Sequence, residues 1–455
     1  MSRPSAITDA AAGPSAGATS EDASGRGLAR FGLDRRSMVL LVGMSAALLA
    51  SELAETVVAT ALPTIAADLG DLRLLALVTT GYLVASTAVL PAYGWLSDRF
   101  GRRRLFVLAV GLFGVGSVLG ALAQGPWILV GARLVQGCGA GGLLVLVQAE
   151  VAVLVPLRQR AAVMSGVGAV FAAAVIAGPP LGGWLAAGPG WRWAFWLNLP
   201  LALAAVAAAA VLMPADRPPP AQARPRSPLT VFRRRQVRLA ATGGLLLGAS
   251  SFGVLVYLPT YLQLVLGLGP AMAGLLMLAL FGGLGVLTVV AAQVVRRGGP
   301  VRLLLVVGAL AVATGLVLLA AAPPTLLSVV PALTLLGAGI GCVWEVVVVV
   351  VQAGVGEADV GSATGANNLL REVGVVVGTA AVGAWVTRRL ALAGDVGGAP
   401  LASWGPDRLA TAAPADRSAV AAAYTDAFGP AFWALVPVAL LAALAFSRLR
   451  RWSRP

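Results

Sequence analysis

The chain has 455 residues, of which 58% are hydrophobic and 11% charged, with a mean hydropathy of +0.88. An ordinary soluble domain carries roughly 25% charged residues, so a water-soluble fold is excluded. The net charge of +14 comes from 33 basic residues, all Arg, which stand at the ends of apolar runs rather than on one basic face, and this excludes a nucleic-acid partner.

Residues 1–36 are rich in Ala, Ser, Gly and Asp, with no apolar core and no cleavable signal pattern, so a disordered cytosolic tail is expected. Clusters of Pro, Gly and Arg then divide the chain into apolar runs, predicting helices near 37–61, 74–93, 104–123, 126–150, 161–186 and 191–213. A Pro- and Arg-dense linker covers 214–236, and six more helices are predicted near 237–263, 271–294, 301–321, 325–352, 361–387 and 428–447. Each run can cross a hydrocarbon core of about 30 Å. The expectation is an all-α membrane protein of about twelve transmembrane helices. It comprises a six-helix bundle over 37–213, the linker, a second bundle over 237–447 and a cytosolic tail over 448–455. The loop over 388–427 is expected to be external and mobile.

Placing the N-terminus in the cytosol puts about 25 Arg inside and about 6 outside (Arg73, Arg192, Arg388, Arg389, Arg408, Arg417). This bias fixes both termini as cytosolic and indicates a multi-pass protein of a bacterial-type inner (plasma) membrane. Arg133 and Arg371 fall within helices. Cys138 and Cys342 each lie in an apolar run and read as small hydrophobes.

Glu52 and Glu55, three residues apart in the first helix, project from neighbouring positions on one face. A carboxylate at bilayer depth costs at least about 2.5–3.5 kcal/mol, so it faces a wet cavity, finds a partner or stays protonated. With His absent, proton coupling falls to Glu52, Glu55 and Glu345. Arg133 needs a counter-charge, which Glu52 or Glu55 can supply. Trp344 can offer an aromatic face to a cation, and Gln148, Tyr257 and Tyr261 can hydrogen-bond a substrate. Arg371 and Glu372 are adjacent, point in different directions and are not expected to pair. Glu150 is placed at the interface.

At the end of the second helix stands GWLSDRFGRRR over 94–104. Gly94 and Gly101 permit close approach, and Asp98 can meet Arg99, Arg102 or the positive end of a neighbouring helix. In the fifth helix the run GPPLGG (Gly178, Pro179, Pro180, Leu181, Gly182, Gly183) frees carbonyls and can act as a pivot. Gly137, Gly139 and Gly141 are echoed by Gly337, Gly339 and Gly341, a spacing suited to tight helix packing.

These segments resemble the signatures of the major facilitator superfamily: 94–104 its loop between helices 2 and 3, 131–139 (with Arg133 and Gln136) its helix 4 motif, and 178–183 its antiporter motif. TVVATALP over 56–63 is similar to the end of helix 1 in multidrug exporters, and 258–266 and 361–378, notably Asn367, Asn368, Arg371, Glu372 and Gly374, extend the match. The details are most similar to the fourteen-helix drug:proton antiporters, though the middle of this chain holds only the linker. Position 174 is Ala where the antiporter motif has Gly, 296–298 lacks an Asp, and the acidic position of the exporters falls on Ala54.

The resemblance implies two rocking bundles around a cavity lined by helices 1, 4, 7 and 10, with the 94–104 and 178–183 signatures, Arg371 and Glu372 taking part in gating. Asn367 and Asn368 join the substrate-cavity candidates. It further implies export of amphipathic or cationic organic compounds by proton antiport, driven by the proton motive force without a cofactor. An uptake symporter or facilitator of the same fold, or a transporter-like membrane sensor, is the alternative. The expected partners are a small molecule, protons and lipid, with no nucleic acid, and the expected state is a monomer. The sequence holds no metal-ligand cluster, nucleotide-binding loop or nucleophile arrangement that would suggest an enzyme.

Overall fold

The computed structural model describes residues 35–69, 75–213, 228–401, 404 and 406–450. Arg73, the terminal tails over 1–34 and 451–455 and the linker over 214–227 lie outside the described residues. The first half holds α1 (Arg35–Leu69), α2 (Leu75–Phe100), α3 (Arg102–Ala121), α4 (Pro126–Leu154) and α5 (Leu157–Ala187), and then α6 (Trp193–Trp196) and α7 (Asn198–Leu212), which together make one span. In the second half, α8 (Arg235–Leu255) and α9 (Leu258–Leu264) form one span, followed by α10 (Pro270–Arg296), α11 (Val301–Ala321), α12 (Leu326–Ala353), α13 (Val360–Ala393), short α14 (Pro406–Thr411) and α15 (Pro414–Ser447).

Among the described residues, ten helical segments are long and apolar enough to cross a membrane. The two other long helices are α2 with 26 residues and α5 with 31. At 1.5 Å per residue both exceed the bilayer core. Both also pack against the opposite half, α2 on α13 and α5 on α10.

The glycine echo is a packing repeat. A Cβ on Gly137 or Gly141 of α4 would run into the carbonyls of Tyr82 and Ser86 on α2, and one on Gly139 into Ala109 and Phe113 of α3. In the second half Gly337 and Gly341 of α12 meet the carbonyls of Leu280 and Leu284 on α10, while Gly339 meets Gly308 of α11. Small residues thus let one helix lie on two neighbours at backbone contact in each half, which is how apolar helices gain packing energy in a bilayer.

Both halves gather one set of helix ends on the same side. Arg36 donates to the carbonyls of Leu212 (3.1 Å) and Val211 (3.3 Å), and Arg103 to Ala210 (2.7 Å). Arg302 reaches Ser447 (3.5 Å) and Arg234 reaches Gly354 (3.1 Å). The unsatisfied carbonyls of helix C-termini attract cations, so these Arg residues cap as well as anchor. We call this the linker side. On the opposite side Asp68 accepts from Arg192 (2.7 Å) and Trp191 (3.0 Å), and these hydrogen bonds hold its carboxyl below the usual range.

Two features differ from the sequence expectation. The expected mobile loop over 388–427 is mostly regular: α13 runs to Ala393, a two-stranded antiparallel hairpin follows (β1, Asp395–Val396; β2, Ala399–Pro400), and α15 begins at Pro414. Gly397 and Gly398 turn the hairpin at φ 56° and 72°, the positive angles a two-residue turn demands. Val420, Tyr424 and Ala427, spaced for one helix face, are buried. Their helix extends past the apolar stretch, so a search for bilayer-length runs missed it. The 94–104 signature is likewise not a loop: α2 continues to Phe100, Gly101 breaks the chain at φ 99°, and α3 starts at Arg102.

Candidate functional site

The linker side is closed by polar contacts between the halves. Asp98, its side chain fully buried, accepts the backbone N–H of Gly361 (3.0 Å) and of Ser362 (2.7 Å) and the Ser362 hydroxyl (2.9 Å). It therefore caps the N-terminus of α13, where unpaired N–H groups and the helix dipole favour an anion. Gly94 is required beside it, because a Cβ there would strike the Gly361 carbonyl. Arg102 stands 3.8 Å away, while Arg99 turns outward over Trp95 and Phe100. Further along α13, Asn368 Nδ2 donates to Gln148 Oε1 (2.7 Å), and Gln352 Nε2 donates to the Gln148 carbonyl (3.0 Å) and to Thr364 (3.1 Å). Gln148 and Asn368, expected in the substrate cavity, are thus fully buried in this closure.

Above the closure, Glu52 and Glu55 lie near the middle of α1, and both keep accessible surface. That surface faces the space between the halves, because Glu52 is within electrostatic reach of Glu372 and Arg371 of α13, and Glu55 of Glu372 and Arg133. Ala54 faces away, buried, its carbonyl 3.4 Å from Arg133. Position 54 is therefore turned into the first half, whereas Glu52 and Glu55 keep accessible surface.

Arg133 is fully buried, and among the described residues its hydrogen-bond partners are Val78, Ala54 and Gln136 rather than either Glu. It donates to Gln136 Oε1 (2.6 Å) and to the Val78 carbonyl (3.3 Å), and stacks 3.9 Å over the Tyr82 ring. Gln136 continues to Ser117 (2.8 Å), and the Tyr82 hydroxyl donates to the Ser51 carbonyl (2.7 Å). The expected Arg133 counter-charge is replaced by an aromatic face and a polar chain, although Glu55 remains within reach of its field.

Arg371 is the hub on the other wall. It pairs with Glu372 (Nη2 to Oε1, 3.0 Å), lies 4.1 Å over the Trp344 ring, and is within electrostatic reach of Glu52 and Glu345. The pairing of Arg371 with Glu372 corrects the expectation from adjacency: a long guanidinium side chain folds back where a short one could not. It also places both residues at the central space, away from the linker-side closure. Trp344 has no free face for a cation, since Arg371 covers it and Phe252 packs 4.9 Å away. Glu345, 6% exposed, rests against Gly168 of α5, and its Oε2 has no hydrogen-bond partner. Glu150 is also buried.

Tyr261 is enclosed with Phe428 and Phe432 of α15, and the Tyr257 hydroxyl donates to the Thr379 carbonyl (3.3 Å). Both belong to an aromatic cluster inside the second half. The α5 helix continues through Pro179 and Pro180. Its Gly178 and Gly182 receive Thr56 and Thr60 of α1, where any Cβ would overlap the threonine hydroxyls, while Gly183 faces open space. The two motifs of helices 1 and 5 are thus the two sides of one contact. Sequence reasoning missed Tyr82, Ser117 and Phe252, and read Glu372 as a gating residue. The available signal was a lone polar or aromatic residue in an apolar run: Tyr82 on α2, Ser117 on α3 and Phe252 on α8.

The sequence matches the family model described as Major Facilitator Superfamily over residues 34–379. It is 32% identical over 454 residues to an uncharacterised MFS-type transporter of Mycobacterium tuberculosis, covering 86% of this chain and 66% of that one. The chain therefore spans just under two thirds of that relative's length. It is 31% identical to a multidrug resistance protein B homolog of the same organism, over 68% of this chain and 69% of the other. The fold is similar to that of the human organic anion transporter MFSD10, with a TM-score of 0.69 at 16% identity, covering 90% of this chain and 99% of that one.

Proposed function

The chain belongs to the major facilitator superfamily, and from that premise we propose that it exports amphipathic or cationic organic compounds by proton antiport. The observation that carries this reading is the carboxylate group Glu52, Glu55 and Glu372, brought within electrostatic reach of one another from both halves. Such a group attracts a cation or holds protons, and the two occupancies compete, which is the requirement for antiport.

The Arg bias supports a cytosolic linker side, and on that reading the closed linker side corresponds to a state facing outward. Rocking of the halves would break the Asp98, Gln148 and Gln352 contacts and present the carboxylates to the cytosol. Each proton returning down 100 mV supplies about 2.3 kcal/mol. Export is favoured over uptake by the Thr56 and Thr60 contact with Gly178 and Gly182, which joins the two exporter-like motifs. The resemblance to a multidrug resistance homolog supports the same direction.

The test uses purified protein in proteoliposomes with an imposed pH gradient and the fluorescent cation rhodamine 123. The expected result is accumulation of the dye in the acidic lumen, against its own gradient, that collapses on adding a protonophore. Equilibration to equal concentrations regardless of the pH gradient would instead make the protein a facilitator.

A further inference from the structure

The second half lines a small cavity with Gly244, Leu247, Trp344, Asn367 and Arg371. Two of these residues are nine-tenths or more buried and carry polar atoms without partners: Arg371 Nη1 and Asn367 Oδ1. A guanidinium has five N–H donors. Glu372 takes Nη2 and, more weakly at 3.4 Å, Nε, while Trp344 occupies the flat face, so the Nη1 edge is left over. Leaving a charged donor buried and unpaired is costly, which marks the place as one that a ligand group completes. Asn367 Nδ2 donates to Asn368 Oδ1 at 3.4 Å, which leaves Asn367 Oδ1 as an acceptor beside the Arg371 edge.

We propose that the free edge of Arg371 forms a carboxylate-accepting subsite, so that the preferred cargo is an amphipathic zwitterion. Its cationic end lies toward Glu52 and Glu55, and its carboxylate lies on the free edge of Arg371. The cavity beside the Arg371 edge is small, so the ring system of the cargo would lie outside it. Glu372 cannot serve both edges of Arg371, since its Oε1 already takes both the Nη2 and Nε donors. This inference rests on the reading of the central space as a cargo site.

The probes are rhodamine 110, a zwitterion, and rhodamine 123, its methyl ester and a simple cation, which differ only at the carboxyl group. Binding to the purified full chain is followed by fluorescence anisotropy. The wild type is expected to bind rhodamine 110 about tenfold more tightly, the scale of one hydrogen bond to a charged group. Arg371→Gln removes that preference, so the ratio of the two affinities falls to about one even though freeing Glu372 changes the affinity for both dyes; an unchanged circular dichroism spectrum and elution volume show that the variant is folded. Arg371→Lys, which keeps the charge but not the planar edge, recovers part of the preference. Equal or weaker binding of rhodamine 110 by the wild type, or a preference that survives Arg371→Gln, overturns the subsite and leaves the export of cations standing. Binding of neither dye overturns both.

Discussion

Replacing Glu52 and Glu55 together with Gln leaves a chain that folds and exchanges cargo across the membrane but no longer accumulates it against a gradient. Gln keeps the shape and the hydrogen-bonding capacity of Glu and removes only the titrating charge. The two residues stand on one face of α1, with Glu372 and Arg371 facing them from α13. A cargo cation and a proton cannot both neutralise the same carboxylates, and that competition is what links their movements. Without it, exchange of cargo for cargo persists, while pH-driven accumulation falls at least about a hundredfold, corresponding to about 2.7 kcal/mol of lost coupling. Counterflow and pH-driven uptake, measured side by side in the same proteoliposomes, separate the two. Equal loss of both would mean that the carboxylates build the site rather than couple it.

Asp98→Asn opens the linker side. In the closed arrangement Asp98 receives three donors from the first turn of α13, two of them backbone N–H groups. An amide has one acceptor oxygen and would turn N–H₂ toward a row of donors. Hydrogen bonds to charged groups contribute about 1.5–3 kcal/mol, so the closed population falls by about tenfold to a hundredfold. The readout is the distance between spin labels at Phe100 and Arg297, both exposed near helix ends on that side, in a background with Cys138 and Cys342 replaced by Ala. The expected change is a longer component in the distance distribution, together with a transport rate reduced about tenfold. An unchanged distribution would assign the closure to Gln148 and Gln352 instead.

What the sequence made legible is what local pattern encodes. Apolar length marked the spans, glycine spacing marked α4 and α12 as the helices on which two neighbours rest, and the charge in 94–104 anticipated the capping of a helix N-terminus by Asp98. What stayed hidden depends on which faces meet across the halves. Gln148 looked like a cavity residue, and only its distant partners Asn368 and Gln352 place it in the closure. Arg371 and Glu372 looked unpaired because adjacent helix positions diverge, yet the flexible Arg stem closes that gap. Trp344 and Arg133 were each assigned a partner by charge logic, and in both cases a cation stacked on a ring took its place. The extended α15 escaped because helices do not end where the bilayer does.

The central claim is that cargo and protons contend for the carboxylates of α1. The measurement that tests it most directly is proton release from purified protein in weakly buffered solution, followed with a pH-sensitive dye as rhodamine 123 is added. The account predicts acidification that saturates with dye binding and disappears in the Glu52→Gln, Glu55→Gln double variant. Binding without proton release, or release undiminished in the double variant, would contradict it.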